Sequence, residues 1–308
     1  MRWIAKALVQ KSLSVLPGGP YANYCLQRFV TKKLPIPERV FWDEVEVAFG
    51  HIQRYVRCRG RVDLSDISLF EFGAGYDLHT ALLFAAMGVK NQLVVDVRQL
   101  LKTQLCGAIL ENLKKYRSQI EAKYHWKLDG AFFERVRSAS LGPNVSLLNG
   151  LGIDYRAPFD LKNLDDGSFE LITNSSVLEH IPADDVLEIL QHCCRALKPG
   201  GCLSSSINLT DHFISFDSSI GPYNFLKFSE RTWSFVNSSL HYQNRLRAGD
   251  YKELFCKAGF RIVACEEVLP QKGEFDVLKR LPLDNRFQNR DLVENIGVQY
   301  LHTLCVKT

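Results

Sequence analysis

The spacing of apolar residues changes character near residue 60 of this 308-residue chain. Before that point apolar positions recur at helical spacing, and Pro- and Gly-rich stretches separate the periodic segments. Three helices are expected there: residues 2–16, 21–33 and 38–58. After it, short apolar runs alternate with helical patterns. We therefore predict a helical N-terminal cap over residues 1–60 and a single α/β domain over 61–308.

Within the second part, strand and helix patterns follow each other in regular alternation. Predicted strands cover residues 67–72, 92–97, 145–150, 168–175, 201–208 and 261–268. Predicted helices cover residues 77–88, 100–123, 183–197 and 249–260, with Asp77 as N-cap of the first. This alternation indicates right-handed crossovers and a doubly wound, mostly parallel sheet covered on both faces. Two segments, about 116–144 and 209–248, exceed what the crossovers need and are interpreted as insertions.

Composition narrows the classes of protein that need to be considered. The chain is 46% hydrophobic and 23% charged, with a formal net charge of +4, which is too mild to indicate nucleic-acid binding. No apolar run is long enough to cross a bilayer, and Gln10 and Lys11 interrupt the only export-like stretch, so a cytoplasmic location is expected. The nine cysteines are scattered without C-x-x-C spacing, which predicts reduced thiols and no metal site.

The N-terminal segment is more basic than the chain as a whole. Residues 1–34 contain six lysines and arginines and no acidic residue. Such a segment could contact an anionic membrane surface at its periphery. The alternative, which the sequence favours, is a solvated helix packed on the domain.

The stretch 70-FEFGAG-75 joins the first predicted strand to its helix. Gly73 and Gly75 allow a sharp turn that brings the backbone close to a ligand, and Asp96 follows at the spacing of an acid that binds ribose hydroxyls. A dinucleotide-binding loop would carry a third glycine where this chain has Asp77, whose carboxylate would repel phosphates. A phosphate-free nucleoside with cationic groups, such as S-adenosylmethionine, is compatible with that carboxylate.

Further motifs follow in a fixed order: 153-IDYRAP-158, 168-SFELI-172, 178-LEHI-181 and 197-LKPGG-201. Together with the glycine loop and Asp96, they make residues 67–208 resemble the class I S-adenosylmethionine-dependent methyltransferases that act on small molecules. The resemblance implies a seven-stranded Rossmann-like methyltransferase sheet with S-adenosylmethionine as cofactor. The cap and both insertions lie outside the resemblance.

The resemblance also implies roles for individual residues. Asp96 would bind the ribose, Asp154 the adenine amino group with Tyr155 beside the ring, and Asn174 and Ser175 would line the pocket near the sulfonium. The residues expected to bind the cofactor are Glu71, Gly73, Ala74, Gly75, Asp96, Val97, Asp154, Tyr155, Asn174 and Ser175.

Two histidines are candidate proton acceptors for a hydroxyl substrate, because imidazole titrates near neutral pH. His212 follows the fifth predicted strand and opens the aromatic insertion; His180 stands in the L-E-H motif, where a structural role is the alternative. We therefore predict methyl transfer to a small or medium-sized acceptor, at oxygen. Alternatives are a catalytically silent methyltransferase-like binding protein and a nicotinamide-dependent oxidoreductase. Nucleic acid is disfavoured as substrate, because 174-NSSV-177 is not the N-P-P-Y motif of base methylation.

Overall fold

The computed structural model describes residues 2–60, 62–138 and 145–308 of the chain. Its strands are β1 (Ser68–Phe72), β2 (Asn91–Val95), β3 (Ile153–Arg156), β4 (Phe169–Ser175), β5 (Leu197–Asn208), β6 (Phe260–Val268) and β7 (Tyr300–Lys307). They form one sheet in the order β3-β2-β1-β4-β5-β7-β6, in which only β7 runs antiparallel to its neighbours. The predicted α/β, doubly wound, mostly parallel seven-stranded sheet is confirmed.

Helices cover both faces of this sheet. They are α1 (Arg2–Ser14), α2 (Gly19–Cys25), α3 (Glu38–Arg59), α4 (His79–Met87), α5 (Thr103–Tyr124), α6 (Gly130–Ser138), α7 (Val145–Gly150), α8 (Ala183–Ala196), α9 (Glu230–Val236), α10 (Ala248–Lys257), α11 (Lys272–Lys279) and α12 (Asn285–Gln288). Successive strand residues point to opposite faces, so Leu69 packs in a core with α3, α4 and α5, whereas Phe70 packs in a second core with α8 and α10. No helix among the described residues is long and apolar enough to cross a membrane.

The first helix, α1, packs on the aromatic insertion and not on the sheet. Trp3 and Ala7 are buried in a third cluster with Phe213, Tyr223 and Trp233. The ring centroids of Trp3 and Phe213 are 5.5 Å apart. The chain's N-terminal helix therefore lies against the segment that follows β5, at the edge of the sheet where the carboxyl ends of the parallel strands meet.

One predicted strand is wrong. Residues 145–150 form the helix α7, and the strand beside β2 is Ile153–Arg156. A six-residue apolar run does not distinguish a short strand from a buried helical turn. The true strand lies at the sheet edge and carries few apolar residues, so its pattern is weak. Residues 139–144 of the predicted insertion lie outside the described residues.

The predicted role of Asp77 as helix N-cap is also wrong, because α4 begins at His79 and Leu78 occupies the N-cap position. The Asp77 carboxylate lies 2.7 Å from His79 Nδ1, and Glu44 of α3 lies 3.0 Å from His79 Nε2. Burial opposes the charge of this imidazole, but the two carboxylates raise the pKa of His79 well above its ordinary value. Asp77 therefore helps to fasten the start of α4 to α3.

The Asp77→Asn variant is expected to lower the free energy of unfolding by about 1.5–3 kcal/mol, the usual worth of a hydrogen bond to a charged group. Because the pKa of His79 is raised by folding, the ion pair stabilises fully below pH 6.5 and is lost as the pH rises through the raised pKa. The difference from wild type in urea denaturation should therefore shrink at alkaline pH. Asp276→Asn, on the exposed face of α11, is the control. An equal loss in both variants would contradict this role.

Candidate functional site

A cavity of about 400 Å³ opens where the carboxyl ends of β1, β2 and β4 meet. This is the edge of a doubly wound sheet at which ligands bind. Five residues predicted from the sequence line it, and the others come from loops that the sequence analysis did not single out. The predicted ones are Gly73, Gly75, Asp96, Val97 and His180; further lining residues are Tyr76, Arg98, Ser176, Val177, His241 and Tyr242.

The glycine loop has a conformation that other residues would not adopt easily. Gly73 has φ +84° and Gly75 has φ +66°, in the left-handed region. A Cβ atom on Gly73 would lie 2.2 Å from Val177 Cγ2. The amides of Gly73 and Ala74 donate hydrogen bonds of 2.9 and 3.1 Å to the Val95 carbonyl oxygen, which holds the loop over the end of β2.

Asp96 presents a buried carboxylate to the cavity, with 8% of its surface exposed. Its Oδ2 accepts a hydrogen bond of 3.1 Å from the Gly75 amide, and its Oδ1 accepts one of 3.0 Å from the Arg98 amide. Each carboxylate oxygen can accept two hydrogen bonds. Both oxygens are therefore held in place and each has a lone pair left for the hydroxyl pair of a ribose.

A second cavity of about 670 Å³ adjoins the first and shares Val97, Leu161 and Ile189 with it. Residues 158–163 form much of its wall. The Phe159 amide donates a 3.0 Å hydrogen bond to the Asp96 backbone carbonyl, so this loop is tied to the end of β2. The combination of apolar groups and a carboxylate, Asp160, suits a flat heteroaromatic ring with an exocyclic amine.

The structure does not bring Asp154 and Tyr155 to the cavity. Both lie within β3, and the side chain of Asp154 is 52% exposed and pairs with Arg156 at 2.6 Å. The ring of Tyr155 packs against the core that contains α3 and α4. Their placement follows from the correction above, because the strand was expected to end before these residues.

Asn174 and Ser175 also face away from the cavity. The Asn174 amide donates a 2.9 Å hydrogen bond to Ser205 Oγ on the neighbouring strand. Ser175 Oγ lies 3.0 Å from His51 Nε2 of α3. The next residue, Ser176, has φ +52° and lines the cavity instead.

Glu71 and Ala74 do not line the cavity either, although both are buried beside it. Burial raises the pKa of Glu71 to about 7. Its Oε2 has no hydrogen-bond partner among the described residues. A buried acceptor without a partner below the glycine loop suits a ligand's ammonium group better than it suits an empty interior.

Three histidines meet beside the glycine-loop cavity. The ring of His180 lies 4.8 Å from the ring of His212 and 6.5 Å from that of His241, measured between centroids. His180 and His241 line the cavity, whereas His212 lies next to them outside the cavity wall. The sequence analysis missed His241, which follows His212 by 29 residues within the aromatic insertion. We call His180, His212 and His241 the histidine cluster.

All three imidazoles of the histidine cluster are held in the neutral form. Desolvation lowers the pKa of His180, while its Nδ1 donates a 2.5 Å hydrogen bond to the Tyr242 carbonyl and leaves Nε2 as the acceptor. Burial lowers the pKa of His212 well below its ordinary value, and His180 adds to this effect. Burial and the charge of Lys6 lower the pKa of His241 to about 3.

One acidic group lies next to the cluster. The ligand atoms of Glu179, His180 and His212 are within 4.8 Å of one another, which is a donor set that a metal ion could use. Burial raises the pKa of Glu179 to about 8, so this carboxyl is largely protonated at neutral pH. Its Oε1 accepts a 3.0 Å hydrogen bond from the Asn208 amide, which ties it to the end of β5.

Comparison with known proteins decides the family. The model of a family described as a methyltransferase domain matches residues 48–265, which include every strand from β1 to β5 and most of β6. The chain belongs to this methyltransferase family. The sequence-based predictions of a class I S-adenosylmethionine-dependent methyltransferase and of its cofactor are thereby confirmed. No curated protein sequence matches the chain.

Solved methyltransferase structures resemble this methyltransferase only distantly. An S-adenosylmethionine-dependent methyltransferase from Mesorhizobium loti is 15% identical, with a TM-score of 0.42, over 84% of this chain and 98% of its own. The YcgJ protein from Bacillus subtilis is 12% identical, with a TM-score of 0.41, over 84% of this chain and 98% of its own.

Proposed function

We propose that this methyltransferase transfers the methyl group of S-adenosylmethionine to an oxygen atom of a small or medium-sized acceptor. The observation that supports it most is the histidine cluster, which places neutral imidazoles beside the cavity that the glycine loop and Asp96 also line. A hydroxyl group needs a proton acceptor during methylation, and a neutral imidazole is the side chain best suited to that role near pH 7.

Different parts of the two cavities would hold different parts of the cofactor. Asp96 accepts hydrogen bonds from the ribose hydroxyls, and the open turn at Gly73 and Gly75 leaves room for the methionine portion. Glu71 offers its unpartnered oxygen to the ammonium group. For the adenine, Val97 and Asp160 on the wall of the second cavity are better placed than Asp154 and Tyr155.

When bound, S-adenosylmethionine supplies an electrophilic methyl group, to which the acceptor oxygen bonds while the carbon–sulfur bond breaks and S-adenosylhomocysteine forms. The protein's part is alignment, exclusion of water and removal of the hydroxyl proton. We assign the proton to His180 Nε2, because this ring lines the cavity and Nδ1 is engaged with the Tyr242 carbonyl. His212 contacts the His180 ring and supports its orientation.

Release of S-adenosylhomocysteine from paired acceptors tests this function. Each pair carries the same carbon skeleton with a hydroxyl group in one member and an amine in the other. The proposal expects turnover with hydroxyl members and little with amines at pH 7.5. Turnover confined to amines would contradict transfer to oxygen. Cofactor binding without turnover on any acceptor would favour the catalytically silent alternative.

The exposed side chains of the N-terminal segment support a second contact. Arg28 and Lys32 accompany five large apolar side chains, each at least half exposed. These apolar residues are Val15, Leu16, Tyr21, Phe29 and Val30. We propose that residues 15–32 rest on an anionic bilayer, since exposed apolar groups flanked by cations bind such surfaces.

Sedimentation with phosphatidylglycerol vesicles should therefore recover the protein, and vesicles of phosphatidylcholine should recover much less. Val30→Asp is expected to reduce the bound fraction severalfold, because it places an anion where the lipid is expected. Val277→Asp makes the same exchange at an exposed position on α11 and should have little effect. Equal partitioning of both variants and wild type would contradict the membrane contact.

A further inference from the structure

Two lysines from the N-terminal segment approach the histidine cluster. Lys6 of α1 places its Nζ 4.9 Å from the centroid of the Phe216 ring and 5.8 Å from that of Phe213. The Phe213 ring is in turn 5.1 Å from the ring of His241. Burial, together with the charge of Lys33, lowers the pKa of Lys6 to about 8, so its ammonium group lacks compensation from the protein.

The second lysine, Lys33, approaches from the segment after α2. Its Nζ donates a 2.7 Å hydrogen bond to Ser215 Oγ, three residues beyond His212. Lys33 acts electrostatically on both His212 and His241, which shows that the ammonium group lies close to these rings. Among the described residues, neither Lys6 nor Lys33 forms an ion pair with a carboxylate.

Nearby carboxyl groups are engaged elsewhere. Glu179 is largely protonated and bonded to the Asn208 amide. Asp211 accepts a 3.0 Å hydrogen bond from Asn224. Asp217 accepts one of 3.1 Å from a backbone amide of α1. Two ammonium groups therefore face three imidazoles with no carboxylate shown between them, which is unfavourable unless an anion binds there.

We infer that the acceptor carries an anionic group, a phosphate or a carboxylate, that lies between Lys6 and Lys33 at the histidine end of the cavity. This inference rests on the proposed function and names the class of its substrate. The same charges oppose a metal ion at Glu179, His180 and His212, because both ammonium groups would repel it. The N-terminal helix α1 thereby becomes part of the acceptor site.

Titration of inorganic phosphate into the protein saturated with S-adenosylhomocysteine tests the inference, with EDTA present to remove metal ions. Histidine ring proton resonances report binding site by site. Phosphate should shift the signals of His212 and His241 saturably. Lys33→Met should weaken this binding at least tenfold, and Lys33→Arg should retain it. Lys32→Met removes the same charge from the neighbouring, exposed residue and should change the affinity less than twofold.

Further arms identify the source of the anion. Acetate in place of phosphate tests a carboxylate, and phosphatidylglycerol vesicles against phosphatidylcholine vesicles test a lipid headgroup. Absence of saturable shifts with every anion, or equal weakening by Lys32→Met and Lys33→Met, would overturn the inference. Calorimetry with S-adenosylhomocysteine separates the two claims: normal binding without an anion site refutes only the anionic acceptor, whereas lost cofactor binding refutes the proposed function as well.

Discussion

The Asp96→Ala variant is expected to bind S-adenosylhomocysteine about 100-fold more weakly than wild type. The carboxylate is held by the amides of Gly75 and Arg98 and has lone pairs left for two ribose hydroxyls. Hydrogen bonds to a charged group contribute about 1.5–3 kcal/mol each. Loss of two such bonds therefore corresponds to at least about 3 kcal/mol, or roughly two orders of magnitude in affinity. Isothermal titration calorimetry measures the change.

Asp154→Ala is the matched control for this prediction. It removes the same side chain from the acid that the sequence resemblance assigns to the adenine, and the structure places that acid on the exposed side of β3, paired with Arg156. Its affinity should stay within about twofold of wild type. An Asp96→Ala variant that binds as wild type does would remove the ribose assignment. A large loss in Asp154→Ala would return the adenine contact to β3.

His180→Gln is expected to lower kcat by about 10²–10⁴-fold on a hydroxyl acceptor, which is the usual contribution of a positioned general base. Glutamine keeps a polar side chain of similar length but accepts no proton at neutral pH. The KM for S-adenosylmethionine should change little, because the proton acceptor acts on the other substrate. The measurement is the rate of S-adenosylhomocysteine release with an acceptor found by the paired screen.

The neighbouring histidines provide the comparison. His212→Gln should reduce kcat less than His180→Gln, since the His212 ring lies outside the cavity wall and acts through His180. The sequence analysis ranked them in the opposite order, because His212 opens the insertion that was expected to face the acceptor. If His212→Gln or His241→Gln abolished turnover while His180→Gln remained fully active, the base would have to be reassigned.

Short local motifs predicted the part of the site that a single turn of chain can build. Gly73, Gly75 and Asp96 lie within 24 residues, and their chemistry follows from the bend between β1 and α4 and from the end of β2. These residues line one cavity in the structure. The sheet was predictable for the same reason, since alternating strands and helices carry period signals of their own.

Residues that depend on long-range packing or on exact register were not predictable in this way. His241 reaches the cavity from the aromatic insertion, which has no periodicity to guide a prediction. A shift of one residue along a strand reverses the face of its side chain, so Ser176 lines the cavity whereas Ser175 bonds to His51. The misassigned third strand displaced the adenine contact from residues 158–163 to Asp154 for a similar reason.

The account's central claim is that the cavity at Gly73, Gly75 and Asp96 holds the nucleoside of S-adenosylmethionine. A crystal structure with S-adenosylhomocysteine bound tests it most directly. The account predicts both ribose hydroxyls within about 3 Å of the Asp96 carboxylate oxygens, the adenine against Val97 and the sulfur facing the histidine cluster. Density for the nucleoside elsewhere on the protein, with Asp96 in contact only with its own backbone amides, would contradict it.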